Sequence, residues 1–237
     1  IIDKFDFPNS TSELGWGISD EDLFRKWEIV LDNEKQPFFS SALTSTNHHP
    51  FEVPEKYKLN RGESVKHRYH EAIFYTDAML GGFLNRISKK QWFENTIIFV
   101  IADTSSFQPT LLKTKNFEEF VKLRSKIPLL ILNGKFINSA SYQGRIVINE
   151  PVSQVDIAPT ITDILSKKII VPWVGISLMY KSGSFSRNIP LRSYTNRPGS
   201  YWAVIENETS FYRENDKIDH YFGKIDKNKH FLLKEIG

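Results

Sequence analysis

Two short polar segments hold the residue types that could do chemistry, and each follows an apolar stretch. The first is Asp103-Thr104-Ser105-Ser106, and the second contains Asn47, His48 and His49. A carboxylate in such a place is a candidate metal ligand or a candidate acid or base, or it only caps a turn. Adjacent histidines in a loop are commonly solvated, but a position directly after a buried strand favours a functional site.

The apolar stretches before these segments are predicted to be strands of one sheet. Residues 96–102 are apolar or β-branched without helical spacing, which is typical of a central parallel strand buried on both faces. Residues 37–44 are predicted to form a second buried strand, and residues 126–132 a third. Ligands of open α/β sheets bind just beyond the carboxyl ends of the strands. We therefore expect His48 and Asp103 to face one cleft at that edge, with His49 turned elsewhere.

Two helices are predicted to flank this sheet. The longest covers residues 64–89 and connects two strands as a crossover. The other begins after Ser19, which is a good N-cap residue with Asp22 three positions later. Its apolar positions recur at helical spacing from Leu23 to Leu31. Those positions are expected to be core.

The last third of the chain has a different pattern. Residues 156–165 are predicted to form a helix capped by Asp156. After about residue 190, the segments 201–205 and 210–213 flank a turn and predict a hairpin. More short strands are expected near 219–224 and 230–234. This tail is predicted to be a small antiparallel sheet on the edge of an α/β body.

Composition excludes several classes of function. The net charge is only +3 and the basic residues are dispersed, so nucleic acid is not expected as a partner. The absence of cysteine excludes disulfides and thiolate metal sites. No run approaches the roughly 20 apolar residues of a membrane-spanning helix, and no signal peptide is visible. Because the chain opens on Ile1 without a methionine, we expect it to be a piece of a longer protein.

Several separated segments occur in the order and spacing of a known family. They resemble the sulfatase family within the alkaline phosphatase superfamily, and the most similar branch is the bacterial lipoteichoic acid synthase and phosphoglycerol transferase enzymes. The resemblance runs from about residue 3 to residue 180. The segments that carry it are Gly15-Trp16-Gly17-Ile18-Ser19-Asp20-Glu21-Asp22-Leu23-Phe24, Asn47-His48-His49-Pro50-Phe51, Tyr75-Thr76-Asp77-Ala78-Met79-Leu80-Gly81, Asn95-Thr96-Ile97-Ile98 through Ala102-Asp103, and Ser153-Gln154-Val155-Asp156-Ile157-Ala158-Pro159-Thr160.

Residues 186–237, which hold this tail, are predicted to be a small antiparallel β subdomain packed on residues 1–185. The resemblance implies that residues 1–185 are the C-terminal part of a sulfatase-like domain with a three-layer α/β/α fold around a mostly parallel sheet. It further implies a divalent metal, most often manganese in this branch, and a Thr or Ser nucleophile that attacks a phosphate or sulfate ester. Relatives of this branch act on the extracytoplasmic face of a bacterial membrane and are tethered by helices upstream.

Only some family residues have a counterpart in this chain. By resemblance, Asp103 matches a metal-binding Asp, and His48, together with Asn47, matches the residues that contact the substrate head group. The family places a metal-binding His directly after the Asp, where this chain has Thr104. The nucleophile, an acidic metal ligand and an anion-binding Arg belong upstream of Ile1. We therefore expect no catalytic residue in this chain, no activity of the chain alone, and no tightly bound metal.

Three hypotheses follow. The first is a piece of a metal-dependent phosphoglycerol transferase, phosphatase or sulfatase, which His48 and Asp103 favour. The second is a catalytically degraded relative with a binding or structural role, which Thr104 favours because a neutral hydroxyl is a poor replacement for imidazole on a transition metal. The third is a sugar- or peptide-binding module on the aromatic tail, which has weak support because such aromatic residues are commonly core.

Overall fold

The computed structural model describes residues 1–8, 11, 13–59, 62, 64–105, 123, 125–132, 147–148, 151–166, 169–170, 173–179, 189–192, 202–206, 209–214 and 217–222. These residues divide into two compact units. The first holds residues 1–99 with 130–132, and the second holds residues 100–105, 125–129 and the described residues from 147 onward.

Two helices form the frame of the first unit. Helix α1 is Asp20–Asn33 and helix α2 is Val65–Ile87. Each helix begins with a serine cap. Ser19 Oγ accepts a hydrogen bond from the Asp22 amide, and Ser64 Oγ accepts one from the His67 amide. These bonds satisfy amides of the first turn that have no partner within the helix. Both predicted helices are confirmed, and the long one ends two residues earlier than predicted.

The core of the first unit lies between these helices and the turn that follows α2. Phe24, Leu31, Phe83, Ile87 and Trp92 are all buried there. The rings of Phe24 and Phe83 stack with centroids 5.0 Å apart. The predicted apolar face of α1 is therefore core, and burying large side chains of this kind contributes about 1.5–3 kcal/mol each.

A cluster of charges fastens the end of α2 to α1. Arg86 and Lys90 bind Glu28, and Lys90 also binds Asp32. The hydrogen bond from Arg86 lowers the pKa of Glu28, and the hydrogen bond from Lys90 lowers the pKa of Asp32. Both carboxylates are therefore stabilised in their charged form at neutral pH.

The segment 37–44 is not a strand, so the second predicted strand is wrong. Alternate residues do point inward: Phe38 packs edge-on against Trp92, and Ser40 Oγ accepts a hydrogen bond from Trp27 Nε1. Phe39 and Leu43, on the other side, are 83% and 79% exposed. Within the described ranges no strand pairs with this segment, and an apolar run becomes a strand only when its backbone groups find a partner strand.

The predicted central strand is confirmed as β3, Ile98–Ile101, and it pairs with β4, Leu129–Leu132. All four residues of β3 are only partly buried, so the expected burial of this strand on both faces is not observed. Among the described residues, β4 is its one neighbouring strand. The three-layer, mostly parallel arrangement stays a prediction. In the described part of the chain, no helix has the length and hydrophobicity needed to span a membrane.

In the second unit, a 3-10 turn at Gln154–Asp156 leads into helix α3, Ile157–Ile164. The predicted helix is confirmed, with Asp156 at its N-cap position, but the Asp156 side chain makes no capping hydrogen bond to α3. Its carboxylate accepts hydrogen bonds from the amides of Ser153, at 2.7 Å, and Ile176, at 3.0 Å. Asp156 is fully buried, so this carboxylate ties the start of α3 to the segment around residue 176.

The tail holds four strands: β5 is Ile189–Arg192, β6 is Trp202–Glu206, β7 is Thr209–Glu214 and β8 is Lys217–Phe222. They form an antiparallel sheet in the order β5-β6-β7-β8. The predicted hairpin is confirmed, with Glu206 opposite Thr209 at the turn. The predicted strand near 230–234 lies outside the described residues, and the boundary at residue 185 stays a prediction.

Candidate functional site

The loop that carries His48 is a sequence of tight turns. The His48 amide donates to the Ser45 carbonyl and the Phe51 amide donates to the His48 carbonyl, both at 2.9 Å. Phe51 has a positive φ of 64° and is buried in a second apolar cluster, together with Val53 and Tyr75. A bulky residue in that backbone region is unusual, and burial of the Phe51 ring fixes the loop in this shape.

The ring of His48 is held in one orientation. Its Nδ1 lies 2.8 Å from the carbonyl oxygen of His49. A carbonyl can only accept, so Nδ1 carries a hydrogen and Nε2 is the atom left for other partners. His48 and Asn47 are both exposed. The ring of His49 instead packs edge-on against Phe51.

A short hairpin covers this loop. Strands β1, Glu13–Leu14, and β2, Gly17–Ile18, flank Gly15 and Trp16, and the Trp16 ring lies on the His48 ring with centroids 3.7 Å apart. Gly15 has a φ of +58° and donates its amide to Glu52 at 2.9 Å. A Cβ at Gly17 would lie 2.9 Å from Ser45 Oγ. The glycines on both sides of Trp16 therefore allow the hairpin to contact the loop directly.

A buried carboxylate connects the loop to both helices. Asp20 is fully buried and accepts hydrogen bonds from the hydroxyls of Thr46, at 2.7 Å, and Thr76, at 2.6 Å. Asp20 is the first residue of α1, where the helix dipole favours a negative charge. Next to it, the Tyr75 hydroxyl accepts from the Glu21 amide, and burial raises the pKa of that phenol. This network fixes the base of the His48 loop.

Asp103 is exposed and lies two residues beyond the end of β3. Its Oδ1 accepts a hydrogen bond from the Thr104 amide at 2.7 Å. The Thr104 hydroxyl donates to the Ser105 carbonyl. Gln154 holds the backbone here, because its Nε2 donates to the carbonyls of Ala102 and Asp103 at 3.0 and 2.9 Å.

The donors around Asp103 do not make a metal site by themselves. Within the described ranges, no three His, Asp or Glu side chains come together in a way that could hold a metal ion. The nearest neighbour in sequence is a neutral hydroxyl at Thr104, which is a weak ligand for a transition metal. Closed sites take about four ligands, and the Asp103 carboxylate is one.

Sequence reasoning identified His48, Asn47 and Asp103, but not the residues that position them. In the sequence, Asp20, Trp16 and Gln154 were only members of segments that match the family. His48 lies in the first unit and Asp103 in the second. That the two face one cleft stays a prediction.

Comparison with known proteins gives consistent similarities. A family model described as Sulfatase matches residues 3–167. The chain is 31% identical over 106 residues to the lipoteichoic acid synthase-like protein YvgJ of Bacillus subtilis, covering 43% of this chain and 17% of that protein. It is 29% identical over 152 residues to lipoteichoic acid synthase of Staphylococcus aureus, covering 61% of this chain and 23% of that protein.

One solved structure supports the fold. The crystal structure of the lipoteichoic acid synthase LtaP from Listeria monocytogenes matches 97% of this chain and 59% of that chain, with a TM-score of 0.69 and 16% identity. At 16% identity, this match shows a similar fold and no more. The chain spans less than a quarter of the length of the two curated relatives described above.

Proposed function

This chain belongs to the sulfatase family, and on that premise we propose that it supplies one part of a metal-dependent site for phosphate or sulfate esters. The reaction that we propose for the whole protein is phosphoglycerol transfer, or hydrolysis of a related ester, on cell-envelope substrates. In this proposal His48 and Asn47 bind the substrate head group. Similarity to lipoteichoic acid synthases over 61% of the chain supports that reaction class.

The observation that carries the proposal is the fixed orientation of His48. With Nδ1 bound to the His49 carbonyl, Nε2 is the ring atom that can meet a ligand. A neutral ring accepts a hydrogen bond there from a substrate hydroxyl, and a protonated ring donates one to an anionic oxygen. Asp20 and Thr46 hold the loop in place before a ligand arrives, so little ordering entropy is lost on binding.

We further propose that Asp103 is one ligand of a divalent metal, with manganese the favoured ion. The remaining ligands and the nucleophile would come from an upstream half of the same domain. A membrane anchor and an extracytoplasmic location belong to the same proposal. With one carboxylate the described residues should bind manganese only in the millimolar range, as an order of magnitude.

The second candidate is a catalytically degraded relative that keeps the fold and a binding pocket. Thr104 favours it, because its hydroxyl donates to the Ser105 carbonyl and is neutral. Both candidates predict head-group binding at His48. They differ in the metal, which only the first requires.

Head-group binding is tested by replacing His48. We expect His48→Ala to weaken binding of glycerol 3-phosphate by about 10- to 100-fold, because a hydrogen bond to a charged group contributes about 1.5–3 kcal/mol. Isothermal titration calorimetry measures this directly. His49→Ala is the matched control, since it keeps the backbone carbonyl that orients His48, and it should change affinity by less than about threefold. Equal affinity of His48→Ala and the unaltered protein would contradict the proposed role.

A further inference from the structure

We propose that Trp16 is a second wall of the head-group site and packs against the carbon skeleton of a small polyol phosphate while His48 binds its oxygens. This inference rests on the proposed function, because it takes His48 as the residue that meets the ligand. It adds a residue to that site, the indole of Trp16, and assigns it the carbon skeleton of the ligand.

The position of Trp16 is not explained by packing in the core. The residue is 71% exposed, although an indole is among the side chains that gain most from burial. Its one described ring partner is His48, at a centroid distance of 3.7 Å and an interplanar angle of 34°. Exposed aromatic rings next to a polar recognition residue are typical of sites that bind a ligand with apolar and polar parts.

The backbone around Trp16 is shaped to hold it there. Gly15 adopts a φ of +58° that a residue with a side chain rarely takes, and its amide is bound to Glu52. A Cβ at Gly15 would already lie 3.4 Å from Pro50, and one at Gly17 would lie 2.9 Å from Ser45. The two glycines bring the hairpin within contact of the His48 loop. The stack is therefore a consequence of specific backbone geometry.

The contacts of His48 define the direction from which a ligand can arrive. Trp16 covers a face of the imidazole and the His49 carbonyl occupies Nδ1. The Nε2 edge then remains for oxygen atoms, beside the exposed indole. A polyol phosphate matches this arrangement, because its C–H groups can lie on the indole while a hydroxyl or phosphate oxygen bonds to Nε2. Inorganic phosphate has no carbon surface to offer the indole.

The proposal is tested by comparing two probes, glycerol 3-phosphate and inorganic phosphate, on three variants of the protein. We expect Trp16→Leu to lower the affinity for glycerol 3-phosphate by about fivefold, since an aromatic contact contributes about 1 kcal/mol. The affinity for inorganic phosphate should change by less than twofold. Trp16→Phe keeps an aromatic face and should restore affinity for glycerol 3-phosphate to within about twofold. Phe74→Leu removes another exposed aromatic ring, on α2, and should change neither affinity.

Proton resonances of the His48 ring test the stack without any ligand. Loss of the indole ring current in Trp16→Leu should move them downfield, whereas Phe74→Leu should leave them in place. Unmoved His48 resonances, or equal weakening of both probes in Trp16→Leu, would overturn the inference about Trp16. If His48→Ala binds both probes as well as the unaltered protein does, the proposed function fails instead. If glycerol 3-phosphate does not bind the unaltered protein, both fail.

Discussion

Replacing Gly175 with alanine should unfold or severely destabilise the second unit. A Cβ built at Gly175 would lie 1.9 Å from the carbonyl oxygen of Val155 and 2.5 Å from its carbonyl carbon. Both are backbone atoms, so no side-chain rotation can relieve the overlap. The backbone would have to move apart where the Ile176 amide meets the buried carboxylate of Asp156. We expect the free energy of unfolding to fall by about 4 kcal/mol, because of overpacking and the broken hydrogen bond to a charged group. Urea unfolding measures this change.

Gly81→Ala is the matched control and should instead raise the free energy of unfolding. Gly81 is exposed on α2, and a Cβ there would meet nothing within 4 Å. Alanine in an exposed helix interior is more stable than glycine by about 0.5–1 kcal/mol. If Gly175→Ala unfolds at the same urea concentration as the unaltered protein, the described approach of residues 175 and 155 is wrong.

Removing the carboxylate of Asp20 should produce the second large effect. In Asp20→Ala the hydroxyl of Thr46, a residue only 3% exposed, loses its acceptor, and so does that of Thr76. Buried polar groups left without a partner are costly, and losing two hydrogen bonds to one carboxylate should destabilise the first unit by about 3–5 kcal/mol. Thermal unfolding measures this loss. The His48 ring resonances should shift as well, because Thr46 lies at the base of that loop.

Two variants serve as controls for Asp20. Thr76→Val removes one of the two hydroxyls while keeping a similar side-chain volume. It should lower the free energy of unfolding by less than Asp20→Ala does. Asp77→Ala removes an exposed carboxylate from α2, the helix that carries Thr76. It should change the free energy of unfolding by no more than about 0.5 kcal/mol. Equal stability of Asp20→Ala and Asp77→Ala would mean that the buried network does not hold the loop.

Elements with a local signal could be predicted from the sequence. Ser19 marks the start of α1 because a helix cap is a short-range interaction. The hairpin of β6 and β7 was found for the same reason. The segment 37–44 was mistaken for a strand because its apolar residues give no information about a partner strand. Strand pairing is a long-range property that a single segment does not encode.

The same limit applies to the candidate site. His48 and Asp103 were identified because they follow apolar stretches and match the family's motifs. Asp20 bonds to Thr46 and Thr76, which are 26 and 56 positions away in sequence, so its role could not be read from neighbouring residues. The bond of Gln154 to the Asp103 carbonyl spans 51 positions. Positioning residues of this kind become visible only when the chain is folded.

That His48 and Asp103 belong to one site stays a prediction, and paramagnetic broadening by manganese tests it most directly. Manganese is titrated to millimolar concentrations while the amide resonances of Asp103 and Thr104 and the ring resonances of His48 are followed together. If the two residues share one site, manganese at Asp103 should broaden all of these resonances, and Asp103→Ala should abolish the effect on His48. Broadening confined to Asp103 and Thr104, with sharp His48 resonances, would contradict the account.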